Sequence, residues 1–227
     1  MTPARRQRLK QLIALGAVGA GGVTGMIQRA LAQGIHPVPP GIHSLKGEVL
    51  VNGRPASIGQ QIPPGATVST RPGAEVIYVI GQEAFLQREN SAVRFGTDAA
   101  RDFFRVLSGK LLTVFGKGNK TLITPAATIG IRGTGCYIEA EATSVYFCLC
   151  YGEAEIRPAA DPARVERIQT HYHDNPIRIH HQANRPMMEN AKVINHTDDE
   201  LILLENLTGR WPPFYGRINN YYGTRNY

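Results

Sequence analysis

The first 32 residues contain no acid, and from Leu12 to Gln28 they carry no charge of either sign. Ahead of that stretch stand Arg5, Arg6, Arg8 and Lys10, and after it Ala30-Leu31-Ala32 offers a small-x-small cleavage pattern. A basic start, an apolar middle and a small-residue end have the form of an export signal. The apolar stretch is diluted by Gly16, Gly19, Gly21, Gly22 and Gly25, which argues against a stable membrane span of roughly 20 residues. The residue directly after Ala32 is Gln33 and not cysteine, which argues against a lipoprotein anchor. Residues 1–32 are therefore expected to be removed on export to the periplasm, with an uncleaved inner-membrane anchor as the alternative. The run Arg5-Arg6-Gln7-Arg8-Leu9-Lys10 is similar to a twin-arginine signal at the arginine pair, Leu9 and Lys10, with Arg8 off the pattern.

Strong net charge is also missing from the remainder. Loss of the signal takes five basic residues and no acids from totals of 25 and 18, leaving 20 and 18, or about +2. That is no footprint for nucleic acid, so such a partner is not expected. Glycine-rich phosphate sites fail on context. Gly116-Lys117-Gly118-Asn119-Lys120-Thr121 leads into a strand, and Gly130-Ile131-Arg132-Gly133-Thr134-Gly135 lacks dinucleotide spacing, so both read as turns. No serine or cysteine nucleophile has an identifiable base, and the chain is read as a binding module instead of an enzyme.

What is present is β chemistry. Pro37, Pro39 and Pro40 make 33–44 a linker, and the fold is expected to begin near Leu45. Runs rich in β-branched and aromatic residues follow: Gly47–Val51, Thr67–Ser69, Val76–Ile80, Ala84–Arg88, Val106–Phe115, Lys120–Thr124, Cys136–Ala140 and Val145–Cys150. Asn52-Gly53, Pro63-Pro64-Gly65, Pro72-Gly73 and Lys117-Gly118-Asn119 separate them. Within Val145–Tyr151 both alternating faces are apolar, which fits a strand buried on both sides of a stacked sheet. The expected fold class is mainly β: a stacked, solenoid-like domain of short strands over 45–157, with a short C-terminal helical appendage.

Residues 158–209 hold a histidine-containing segment and that helix. Thr197 with Glu200 forms a capping box, Asp198 and Asp199 fill the first turn, and Gly209 supplies the stop. Leu201, Ile202, Leu203, Leu204 and Leu207 cover too wide an arc for one buried stripe, so the helix either docks deeply or meets a partner. A second, shorter helix is possible over 162–168, capped by Asp161.

Gly47-Glu48-Val49-Leu50-Val51-Asn52-Gly53, the block Ile62-Pro63-Pro64-Gly65-Ala66-Thr67-Val68, and Thr124-Pro125-Ala126-Ala127 leading to Arg132-Gly133-Thr134 together resemble the FecR domain family. The resemblance covers 45–157. It implies a periplasmic β-rich domain that, in signalling members, touches the receptor side of a cell-surface pathway. Its motif residues here are Gly65, Thr124, Pro125, Arg132, Gly133 and Thr134, with Arg132 a candidate to satisfy carbonyls or an acid beneath the sheet. Signalling members carry a cytoplasmic anti-sigma region and a membrane span ahead of this domain, and no match to either is read here. The reading is a periplasmic binding, scaffold or sensor module contacting another envelope component.

A second reading comes from Cys148-Leu149-Cys150 and His171-Tyr172-His173. Alternate strand positions put both thiols on one face, and two thiolates with two imidazoles make a tetrahedral set for zinc, soft enough for copper(I). Cys148, Cys150, His171 and His173 are the candidate ligands of a metal or redox site. The competing readings are small buried thiols, or a disulfide involving Cys136 on the neighbouring hairpin arm. The tail 210–227 combines Trp211, Tyr215, Tyr221, Tyr222 and Tyr227 with arginines, a composition able to stack on a cell-surface polymer or dock on an envelope protein. Leu201, Leu204, Trp211 and Tyr215 are the partner-binding candidates.

Overall fold

The computed structural model of the protein describes residues 22–96, 103–182 and 184–216. The twin-arginine-like run and tail residues 217–227 lie outside them. A helix α1 (Gly22–Gln33) is followed by fourteen strands: β1 (Gly41–Lys46), β2 (Val49–Val51), β3 (Arg54–Pro55), β4 (Thr67–Thr70), β5 (Glu75–Ile80), β6 (Glu83–Gln87), β7 (Ser91–Phe95), β8 (Phe103–Val114), β9 (Asn119–Ile123), β10 (Ala127–Ala140), β11 (Ser144–Pro158), β12 (Glu166–Thr170), β13 (Ile177–His180) and β14 (Met188–Asn190). Helix α2 (Asp198–Leu207) is the last regular element among the described residues.

All fourteen strands form one open sheet with the main order β14-β13-β11-β10-β9-β8-β7-β4-β2-β3; β1, β5 and β6 branch from β8, and β12 flanks β11. The pairings are antiparallel except β8 with β9. The protein is mainly β, as composition and turn spacing require, but two runs that read as short strands are parts of longer ones. Cys136–Ala140 is the end of the 14-residue β10, and Val145–Cys150 the start of the 15-residue β11. The stretch 130–135, read as a turn, is strand carrying a bulge between Arg132 and Gly135. Gly152 must be glycine opposite that bulge: its φ is +99°, and a Cβ would meet Thr134 Cγ2 at 2.5 Å. Pairing also starts earlier than Leu45, because Gly41–Lys46 lies along β5. No helix forms over 162–168; Arg164 N donates to Asp161 O in a turn, and the chain enters β12.

The period-2 alternation of the strands produces two cores. The inner one collects Val68, Tyr78, Phe85, Val93, Phe104, Leu111, Phe115, Leu122, Ile129, Ile138, Phe147 and Leu149, with Tyr78 and Phe85 stacked 5.0 Å apart. The outer one consists of Ile77, Val79, Leu86, Leu112, Val114, Tyr137 and Tyr146 under Leu201, Leu203, Leu204 and Leu207 of α2. Each fully buried aliphatic or aromatic side chain contributes about 1.5–3 kcal/mol. Helix α2 forms where its caps place it: Thr197 accepts from Glu200 N, the Glu200 side chain accepts from Thr197 N, and Gly209 ends it at φ +81°. Leu201 and Leu204 are completely buried in the chain itself, so deep docking is the alternative realised and neither residue is open to a partner.

Helix α1 contains Ala30-Leu31-Ala32. It packs on α2, burying Met26 and Ala30, while the Asn206 side chain donates to Ala30 O (3.3 Å) and Val38 N to Leu207 O (3.0 Å). Among the described residues no helix is long and apolar enough to cross a membrane.

Candidate metal centre

Strand β11 turns Val145, Phe147 and Leu149 into the inner core and Tyr146, Cys148 and Cys150 to the outer. Both thiols thus lie under α2, completely buried. Beyond β12 the chain leaves the extended conformation. Asp174 accepts from the amides of His171 (2.9 Å) and Tyr172 (3.4 Å), and His173 sits at φ +48° with its N–H on Cys150 O (3.0 Å). This turn sends His173 inward and leaves His171 exposed. His171 is therefore not brought to the cysteines; two histidines two apart share a face only in a strand.

The fourth donor is His196, which the sequence reading did not pick. It directly precedes the α2 N-cap, follows Asn195 at φ +55°, and lies flat against Tyr137 with ring centroids 4.7 Å apart. Cys148 Sγ is 3.5 Å from His173 Nδ1, Cys150 Sγ 3.5 Å from His196 Nε2, and the two ring nitrogens are 3.1 Å apart. All four donor atoms lie within 4.8 Å of one another. A tetrahedron with about 2.3 Å bonds to sulfur and 2.0–2.1 Å bonds to nitrogen has edges of about 3.4 Å (N···N), 3.6 Å (N···S) and 3.8 Å (S···S). The cluster has the size of one zinc ion's coordination shell.

The outer nitrogens settle where the ring protons are. His196 Nδ1 lies 2.7 Å from Ile194 O, a carbonyl that can only accept, so Nδ1 carries the hydrogen. His173 Nε2 lies 3.1 Å from Asp198 Oδ1, while the other Asp198 oxygen accepts from Tyr172 OH at 2.6 Å. Neutral imidazoles so arranged aim two bare lone pairs at each other across 3.1 Å. That is repulsive unless a cation lies between them. A proton can serve one pair; a metal ion serves both nitrogens and both sulfurs. Carboxylate and carbonyl acceptors behind ligating histidines are the usual support of metal sites.

Without metal, the electrostatics favour the ligating form only at Cys148; Cys150 and His173 hold protons that a bound metal must displace. Donation from Cys150 and the two imidazoles holds the Cys148 thiol well below its ordinary range despite burial, whereas burial and the Cys148 charge push Cys150 up. Burial would lower His173, but Asp198 and Cys148 outweigh it and raise it to about 9. Cys136 faces the inner core, opposite Leu149, and all three cysteines are free thiols; the disulfide alternative is not formed. His180 is engaged elsewhere, 2.9 Å from Glu189.

The remaining candidates fall outside the cluster. Gly65 (φ +78°) donates to Gly96 O, and Thr124 closes the Thr124-Pro125-Ala126-Ala127 turn through its N–H and hydroxyl on Ala127 O. Arg132 is exposed and does not reach beneath the sheet, while Gly133 (φ +54°) and the buried Thr134 form the bulge. Lys120, at the end of the glycine-rich run, pairs with Glu83 at 3.2 Å and is mostly covered. Trp211 and Tyr215 stack on each other at 3.9 Å.

No family model matches the chain, and no curated protein matches it. Two crystal structures of a "putative anti-sigma factor" from Parabacteroides distasonis ATCC 8503 are similar to it, each at 14% identity and TM-score 0.46 over 56% of this chain. The match spans 60% of that protein's chain.

Proposed function

We propose that this chain is a metal-stapled binding module of the cell envelope, FecR-like in its β body, holding one zinc ion between Cys148, Cys150, His173 and His196. The observation that carries the metal is the meeting of two thiols and two correctly backed imidazoles in a buried cluster of tetrahedral size. Four protein donors fill a zinc tetrahedron and leave no position for water or substrate, so the ion is structural. It ties β11, the 171–174 turn and the lead-in of α2 together. A thiol redox role fits less well, since both sulfurs are completely buried and redox thiols require access.

The envelope location and the contact role rest on the export-type N-terminus and the FecR-like blocks. Elemental analysis of protein purified without added metal is expected to give one zinc per chain, with copper the other outcome to score; a metal-free, fully folded chain refutes the staple. Cross-linking in intact envelopes, followed by identification of the joined protein or polymer, tests the contact role. Recovery of the chain solely from the cytoplasm removes it.

A further inference from the structure

We infer that the metal is captured as the chain folds and does not exchange while α2 is docked; this rests on the zinc reading above. Ligand exchange at a metal site proceeds either by attack of an incoming donor or by departure of a resident one. Attack needs an open face. Cys148 and Cys150 are 0% exposed, His173 6% and His196 2%. Rings close the surroundings: Tyr137 covers His196, Tyr172 meets His173 edge-on at 5.0 Å, and Phe214 packs against both Tyr172 (5.3 Å) and His173 (6.4 Å). An outside chelator has no donor to replace.

Departure needs a segment to move, and each segment is tied to the fold. Cys148 and Cys150 belong to β11, paired along its length with β10. His173 is anchored by its amide on Cys150 O and by its ring on Asp198. His196 moves only with the α2 lead-in. That lead-in is held by Asn195 on Glu139 (2.7 Å), by Arg88 on Asn195 O (3.1 Å) and on Glu200 (2.8 Å), and by Leu201 and Leu204 in the outer core. Opening the site is therefore local unfolding of α2, and metal release inherits its rate. The donors come from three separated stretches that meet only when α2 is in place, so the ion enters as that docking occurs. A sensor, buffer or carrier of metal needs exchange; a staple does not.

The test uses the full chain carrying its zinc, mixed with increasing excess of the chromogenic chelator 4-(2-pyridylazo)resorcinol under native conditions. Release is expected to be slow, independent of chelator concentration, and accelerated by urea below the unfolding midpoint. Leu204→Ala, which loosens α2 without touching a ligand, should raise the release rate at least tenfold with one zinc still bound. Should that variant not fold, Thr197→Ala, which removes only the cap, should raise the rate several-fold. Release proportional to chelator concentration, or variants that leave the rate unchanged, overturns the inference while the zinc site stands. A chain that folds with no zinc at all removes the site and the inference together.

Discussion

The two faces of β11 carry the same strand through two kinds of interior. On the inner face Val145, Phe147 and Leu149 pack among apolar residues from nearly every part of the sheet. On the outer face Tyr146, Cys148 and Cys150 lie beneath a helix that brings buried Asp198, Glu200, Glu205 and Asn206, together with His196 from its lead-in. Burying polar groups is costly unless each finds a partner. Here the partners are specific: Tyr151 donates to Glu205 (2.5 Å), Arg210 pairs with the same carboxylate (2.6 Å), and Arg88 serves Glu200. The inner face is a requirement of volume, whereas the outer face is a requirement of identity. Function is to be sought on the second.

The sharpest break of this comparison sets neighbours on the strand against each other. Cys148→Ser or Cys150→Ser should abolish stoichiometric zinc and make thermal stability insensitive to chelators, since structural zinc binding is worth about 10–16 kcal/mol in small zinc peptides. Leu149→Ala should cost about 2–5 kcal/mol in denaturant unfolding yet retain one zinc per chain. If Leu149→Ala also loses the metal, the faces are not independent. Next in size, His196→Ala should lose the ion while His171→Ala keeps it, read by elemental analysis of folded protein; the reverse would restore the ligand set read from the sequence.

Asp198→Asn keeps the fold but weakens the acceptor behind His173, and competition titration should show affinity lower by about 10–100-fold. An effect of similar size is expected at the far end of α2. Deleting residues 1–33 uncovers the surface under Met26 and Ala30 and should cost about 1.5–3 kcal/mol, with zinc stoichiometry unchanged. A truncated chain as stable as the full one would mean that α1 adds nothing to the folded body.

Much of this is legible in the sequence. β-branched runs between Pro-Gly and Asn-Gly turns fixed the fold class, and the Thr197–Glu200 box fixed α2, because turns and caps are local chemistry. The thiol pair was legible for the same reason, as alternation within one strand. His171 was misplaced because its assignment assumed an extended segment. The Asp174 carboxylate instead gathers the preceding amides and rotates His173 alone inward. Residues 41–44 were given to a linker because proline density masked a strand whose partner, β5, lies more than thirty residues away.

The sequence by itself determined a mainly β chain, the position and ends of its last helix, and a pair of cysteines sharing a strand face, since each depends on neighbours within a few residues. Only the tertiary structure decided that His196 completes the site and His171 does not. A donor atom 46 residues from Cys150 leaves no periodic trace. Its place is set by where a docked helix begins.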